Sequence, residues 1–199
     1  MKTTQEIIKV MEDKGFPVFK NFNKNYNLNI IGIRTKDNSS NAFNDQLIVL
    51  WKYNGEWNRL NYKITTDPGT YWRENPMNVN GTAILCEGHH KGMWSFGFHR
   101  NKYKALVQTT PVEVYRDNNK DDVLDFDVPK EKGLFGINCH KASYSGTSTQ
   151  VDKWSAGCQV FADSGEYYEF LELCEDAKNN WGNRFSYTLL LEEWFDEVV

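Results

Sequence analysis

The sequence predicts a single α+β domain, mainly β, built as a β-sandwich or sheet with one helix near the C-terminus packed against it. Three observations carry this. Short apolar runs rich in Val, Ile, Leu and aromatics recur between residues 46 and 115, separated by turn signals at the spacing of an all-β sandwich or barrel. A helical period replaces the strand period only after Asp163. A final apolar run, FSYTLLL at 185–191, then closes the chain as a strand.

Residues 4–14 read as a short helix, because Ile7, Ile8, Val10 and Met11 make one apolar face and Gly15 follows as a stop. Residues 46–53 (QLIVLWKY) are a strand. Asn54-Gly55 suits a type I′ turn, whose two central positions need positive φ, and 56–66 returns as the partner strand. Asp67-Pro68-Gly69 breaks the chain. Strands follow at 83–86, 94–98, 105–108 and 112–115, the last entering an acidic hairpin turn between VEVY and VLDF. Asp163 and Glu166 have capping-box spacing, and Tyr167, Phe170, Leu171, Cys174, Ala177 and Trp181 form a helical stripe that Gly182 ends. No linker or internal repeat divides the 199 residues. Residues 1–59 read as an elaboration of helix and hairpin, and 60–191 as the core.

Composition excludes several classes. The chain is 40% hydrophobic and 25% charged with a net charge of −4, and no basic tract interleaves with aromatics, so nothing asks for a nucleic acid. No stretch approaches the ~20 apolar residues of a membrane helix, and the start, MKTTQEIIKVMEDKGF, lacks the apolar run of a signal peptide. The expectation is synthesis in the cytoplasm, with separate release for any action outside. The aromatic share of 15%, with seven Trp, suits a β core and equally a groove that grips an extended polymer. Four cysteines, Cys86, Cys139, Cys158 and Cys174, do not have staple spacing and read as free thiols.

The chemistry concentrates in residues 133–163, GLFGINCHKASYSGTSTQVDKWSAGCQVFAD. A strand carrying His140 is followed by a Gly/Ser/Thr-rich loop and then by Trp154-Ser155-Ala156-Gly157-Cys158. A nucleophilic cysteine needs a base, backbone N–H groups for an oxyanion, and small neighbours that admit substrate. His140 is the nearest base, Ala156 and Gly157 are small, and the N–H groups of Gly157 and Cys158 suit the oxyanion. Trp154, Gln159, His99 and Tyr144 are candidates to touch substrate. From residue types alone, Cys158 as a small buried hydrophobe and His140 as a satisfied strand histidine is the favoured reading.

A strand histidine, a variable loop and then Ser-x-Gly-Cys, with the cysteine 18 positions after the histidine, resembles the catalytic motif of the L,D-transpeptidases (YkuD-type domains). Residues 62–71 (YKITTDPGTY) look like that family's strand and Thr/Pro/Gly turn. The resemblance covers 133–163 closely and 60–191 in layout. It implies an acyl-enzyme on Cys158 with His140 as base, acting on peptidoglycan stem peptides without cofactor or metal. Two positions depart from the pattern: the family's His inside Ser-His-Gly-Cys is Ala156, and its Arg two residues after the nucleophile is Val160. These shift the expectation from transpeptidation toward hydrolysis. With the start of the chain, they also point to a phage-type lysin or virion-associated wall enzyme. Two other readings stand beside this one. The first is a catalytically dead module on the same fold that binds cell wall or a partner. The second is an NlpC/P60-type peptidase, disfavoured because His140 precedes Cys158.

Two further clusters have metal-like composition. Cys86, His89, His90 and His99, with Cys139 and His140, meet no familiar zinc spacing. Asp117, Asn119, Asp121 and Asp125 resemble the start of a calcium loop, but Asp122 stands where the turn glycine belongs and Val128 where the closing acid belongs.

Overall fold

The computed structural model describes residues 2–21, 23–37, 41–121 and 123–197. The protein is α+β and mainly β. It begins with α1 (Thr4–Asp13), capped by a box in which the Thr3 hydroxyl accepts from the Glu6 N–H and the Glu6 carboxylate accepts from the Thr3 N–H. Next come β1 (Asn29–Arg34), β2 (Asp45–Tyr53) and β3 (Glu56–Thr65). Asn54 and Gly55, with φ of 50° and 86°, make the tight turn between the last two. The short α2 (Thr70–Glu74) leads to β4 (Thr82–Leu85), β5 (Gly88–His99), β6 (Tyr103–Gln108), β7 (Val112–Asp117) and β8 (Lys130–Gly133). The chain then runs through β9 (Cys139–Lys141), β10 (Gln159–Phe161), α3 (Ser164–Trp181), β11 (Phe185–Leu191) and a closing 3-10 turn, Glu192–Glu197.

Eight strands close into a barrel in the order β1-β11-β5-β6-β9-β10-β3-β2, and β4, β7 and β8 form a separate three-stranded sheet. Of the sandwich or barrel that strand spacing predicts, these eight strands form the barrel, in place of a β-sandwich or sheet, and the reason lies in β1. This strand, NIIGIR, pairs antiparallel with β2 and parallel with β11, which seals the sheet on itself and removes both edges. Residues before 60 supply two barrel strands, and the expected boundary near 59 falls inside β3. The hairpin expected between VEVY and VLDF forms otherwise. β7 pairs with Lys130–Gly133, leaving Leu124 to pack with Ile84, Cys86 and Tyr115.

The barrel interior is one apolar cluster. It joins Leu47, Val49, Ile64, Trp94, Leu106, Cys139, Phe161 and Tyr187 to the stripe Tyr167, Phe170, Leu171, Cys174 and Ala177 of α3. Asp163 caps α3 by accepting from the N–H groups of Gly165 and Glu166, and Gly182 ends it. On the opposite wall, Ile7, Val10 and Met11 of α1 cover Ile31, Ile33, Ile48 and Leu50. The barrel also buries charge. Arg34 pairs with Asp67 at 2.9 Å, and Asp45 accepts from Thr66 N–H (2.7 Å) and Thr35 N–H (2.8 Å). Burial, with the neighbouring Asp67 charge, pushes the Asp45 carboxyl up to about 7.

Candidate active site

β9 and β10 run parallel, with Gln159 opposite Cys139 and Val160 opposite His140. The Gln159 N–H donates to the Asn138 carbonyl at 2.9 Å. Strand alternation then sorts the side chains. Cys139 and Phe161 enter the barrel cluster, whereas Val160, Ala142 and Cys158 belong to a smaller cluster with Phe43 and Val151. Cys158 and His140 therefore share the outer face. Cys158 stands just before β10, two residues ahead of the Val160 that pairs with His140.

The Cys158 segment is held by Ser155. Its buried hydroxyl donates to the Cys158 carbonyl at 2.8 Å and accepts from the Gly157 N–H at 3.1 Å. Gly157 sits at φ 115°, and a Cβ there would stand 2.3 Å from the Ala83 carbonyl oxygen, so only glycine fits. The Gly157 N–H expected for the oxyanion is thus spent inside the turn. The Cys158 N–H makes no hydrogen bond among the described residues and stays available.

His140 is 2% exposed, and its tautomer follows from its partners. Nδ1 lies 2.8 Å from the Lys141 carbonyl and 3.3 Å from the Tyr103 hydroxyl; the carbonyl can only accept, so the shorter contact assigns the proton to Nδ1 and the lone pair to Nε2. The Tyr103 hydroxyl donates to the same carbonyl at 3.3 Å. His99, the last residue of β5, stacks on His140 with ring centroids 4.0 Å apart. Asn138 fixes the opposite tautomer there. Its Oδ1 accepts from the Gln108 N–H (2.9 Å), its Nδ2 donates to His99 Nδ1 (3.2 Å), and His99 is left with an Nε2–H. One imidazole offers an acceptor and its neighbour a donor.

Both charged forms are disfavoured at rest. Burial pushes the Cys158 thiol up to about 11, against the pull of the Asn138 backbone and of Arg100. Burial, then His99, brings His140 down to about 3, and burial with Arg100 brings His99 down to about 4. The thiol donates to the Gly136 carbonyl at 3.3 Å, with no hydrogen bond to His140. The resting pair is a neutral thiol beside a neutral imidazole, in place of a preformed thiolate and imidazolium.

The remaining candidates divide. Gln159 is fully buried; its Oε1 accepts from Tyr187 (2.7 Å) and its Nε2 donates to the Thr66 carbonyl (3.4 Å), so it braces the barrel interior and does not face substrate. Trp154 and Tyr144 are 41% and 66% exposed. Tyr144 lies over the Lys141 ammonium at 4.2 Å and edge-on to Tyr103. Ala156 lines a cleft of about 280 Å³ with Trp72, Arg116, Leu134 and Phe135. Gly136, the thiol's acceptor, follows Phe135 directly in sequence, and neither Gly136 nor Cys158 lines the cleft.

His89 and His90 leave this site. His89 bonds Thr188 at 2.9 Å and His90 bonds the Cys86 carbonyl at 3.0 Å. Among the described residues no three His, Cys, Asp or Glu side chains group to hold a metal. Asp117 is buried against Arg73 at 3.0 Å, and Asn119 bonds Asp121 and Asp125; Asp122 lies outside the described residues. The residues that reading for chemistry missed are Asn138, Tyr103 and Arg100. The first had a signal, since it stands two before His140 on the same strand face. The Lys141 anchor is a backbone atom and has none.

The fold and the site define a mainly β domain presenting a cysteine and two imidazoles on the outside of a barrel. Comparison with protein-family models, with curated proteins and with solved structures finds no match. No helix is long and apolar enough to cross a membrane among the described residues.

Proposed function

We propose that this protein is a cysteine acyl-transferring enzyme of the L,D-transpeptidase type that cleaves the stem peptides of peptidoglycan, with water as the favoured acceptor. The observation that carries the reading is the His140 tautomer. A base with Nδ1–H pinned to the Lys141 carbonyl would keep its Nε2 lone pair for the thiol, and His140 pairs with Val160, two residues after Cys158 on the same strand face. In the reaction, Sγ bonds to the peptide carbonyl carbon as its proton passes to His140 Nε2, and the Cys158 N–H faces the oxyanion. The tetrahedral species expels the amine, which takes the proton from His140, and leaves a thioester. Water then attacks with His140 again as base, releasing the shortened peptide and the thiol. Hydrolysis is favoured over transfer because Ala156 and Val160 offer an acceptor amine no polar contact. The family fold and a lytic or virion-associated role, with the protein released onto the wall, belong to the same proposal.

One observation favours an inert binding module instead: the thiol proton rests on Gly136, not on His140. Mass spectrometry of muropeptides after incubation separates the two. Shortened stem peptides made by the wild type and not by Cys158→Ser support the enzyme, and abundant exchanged product with an added D-amino acid would make it a transferase. Wall binding without any altered peptide supports the module.

A further inference from the structure

We propose that the Arg73 guanidinium is a built-in cation at the centre of a calcium-type loop that starts at Asp117, and that it latches this loop to α2 without a metal ion. This latch is independent of the thiol chemistry, and its failure would leave that reading untouched. A calcium loop brings carboxylates from its first and fifth positions and a backbone carbonyl from its seventh onto one ion. Counted from Asp117, those positions are Asp117, Asp121 and Val123. All three meet at Arg73 Nη2, which lies 3.0 Å from Asp117 Oδ2 and 3.4 Å from Asp121 Oδ1 and donates to the Val123 carbonyl. The third and ninth positions tie the ring together, because Asn119 Nδ2 donates to Asp121 (2.9 Å) and to Asp125 (2.7 Å).

The central group comes from a distant part of the chain. The Arg73 side chain is 1% exposed, and its Nε also reaches Asp117, at 3.2 Å, across 44 residues of sequence. Its Nη1 is buried with no hydrogen-bond partner among the described residues, a cost that a guanidinium placed for its own donors would avoid. The position satisfies the loop's oxygens instead. The consequence falls on α2. Five residues are too few to hold a helix in water unaided, and its N-cap, Gly69, makes no side-chain cap. Arg73 pins this helix to the loop. The neighbouring Trp72 donates through Nε1 to the Lys153 carbonyl (3.1 Å), and its own carbonyl accepts from the Thr82 hydroxyl (2.6 Å). Trp72 walls the cleft that Ala156 also lines, so a side chain in place of an ion sets the order of that wall.

The test is thermal unfolding of the whole chain, followed by circular dichroism, in EDTA and in about 5 mM calcium chloride, which exceeds the Kd of weak calcium modules. The variants are Arg73→Ala and Arg73→Ala combined with Asp121→Asn, a change at a side chain that is 54% exposed. Wild-type Tm should differ by less than about 1 °C between the two buffers, because the cation position is filled. Arg73→Ala should lose about 10 °C in EDTA, since it strips a buried ion pair. It should regain at least about 3 °C in calcium, and the double variant should not. Folding of Arg73→Ala only when calcium is present is the same result in stronger form. A wild-type calcium shift as large as that of Arg73→Ala would overturn the proposal. So would an Arg73→Ala protein that calcium does not stabilise, folded or unfolded, or a calcium gain that survives Asp121→Asn.

Discussion

Cys86 and Cys158 each lie near a histidine, and burial pushes both thiols up to about 11. The difference lies in which atoms are presented. His90 spends Nε2 on the Cys86 backbone carbonyl, and its ring stacks on Tyr187. Cys86 itself is 3% exposed, packed with Ile84, Tyr115 and Leu124. His140 is held through Nδ1, which leaves Nε2 without a hydrogen-bond partner among the described residues, and Cys158 is partly open. The residue types are alike, and on the proposed reading the tautomer and the route to the sulfur decide which thiol reacts. Burial lowers His90 to about 4 and His140 to about 3, so acidity alone does not separate the two pairs.

The largest expected effect breaks the comparison at its centre. Cys158→Ser should abolish turnover and His140→Ala should lower kcat by about 10²–10⁴, whereas Cys86→Ser should keep it within about twofold, because a buried sulfur beside a spent imidazole has no access to substrate. Rates of muropeptide shortening, with circular dichroism to confirm folding, decide this. Loss of activity in folded Cys86→Ser would reverse the assignment.

Next in size is Gly157→Ala. The residue combines a positive φ with a carbonyl 2.3 Å from any Cβ, so the substitution should destabilise the native state by about 2–4 kcal/mol. Urea denaturation reads it. A change under about 0.5 kcal/mol would mean that the Ser155–Cys158 turn relaxes freely.

The pH dependence sharpens the neutral-pair description. His140 as a base works once it is unprotonated, and its value near 3 puts no acid limb in kcat/KM around pH 6–7. Stability follows the same sign. For His90, His99 and His140 the folded values lie below the unfolded one, so their contribution is present above about pH 6.5 and falls away on acidification toward pH 3–4. Asp45 has the opposite sign. Its raised value contributes stability at low pH that is lost as pH rises through about 7. A kcat/KM profile with a limb at the ordinary imidazole value would show that His140 is hydrated and chargeable. The smallest effect belongs to Trp154→Ala, which should shift stability by under about 0.5 kcal/mol because the ring is 41% exposed.

Local signals made much of this legible. The Asn54-Gly55 turn, the Asp163 cap and the strands around QLIVLWKY and FSYTLLL all form where residue pattern places them, because each is decided by neighbours in sequence. Closure of the barrel was not legible, since it depends on β1 pairing with β11 about 155 residues later. The same limit holds at the site. The Ser-x-Gly-Cys segment and His140 stand out as residue types. That Gln159 turns inward, that Gly157 N–H is taken by Ser155, and that His99 stacks on His140 follow only from strand register and from which atoms meet.

The most direct measurement is capture of the acyl-enzyme. The protein is incubated with a peptidoglycan stem tetrapeptide, quenched in acid, digested, and mapped by mass spectrometry. The nucleophile–base assignment predicts a thioester on Cys158 in the wild type, lost in Cys158→Ser and strongly reduced in His140→Ala. An acyl group on Cys86, peptide shortening that persists in Cys158→Ser, or neither thioester nor altered peptide would contradict it.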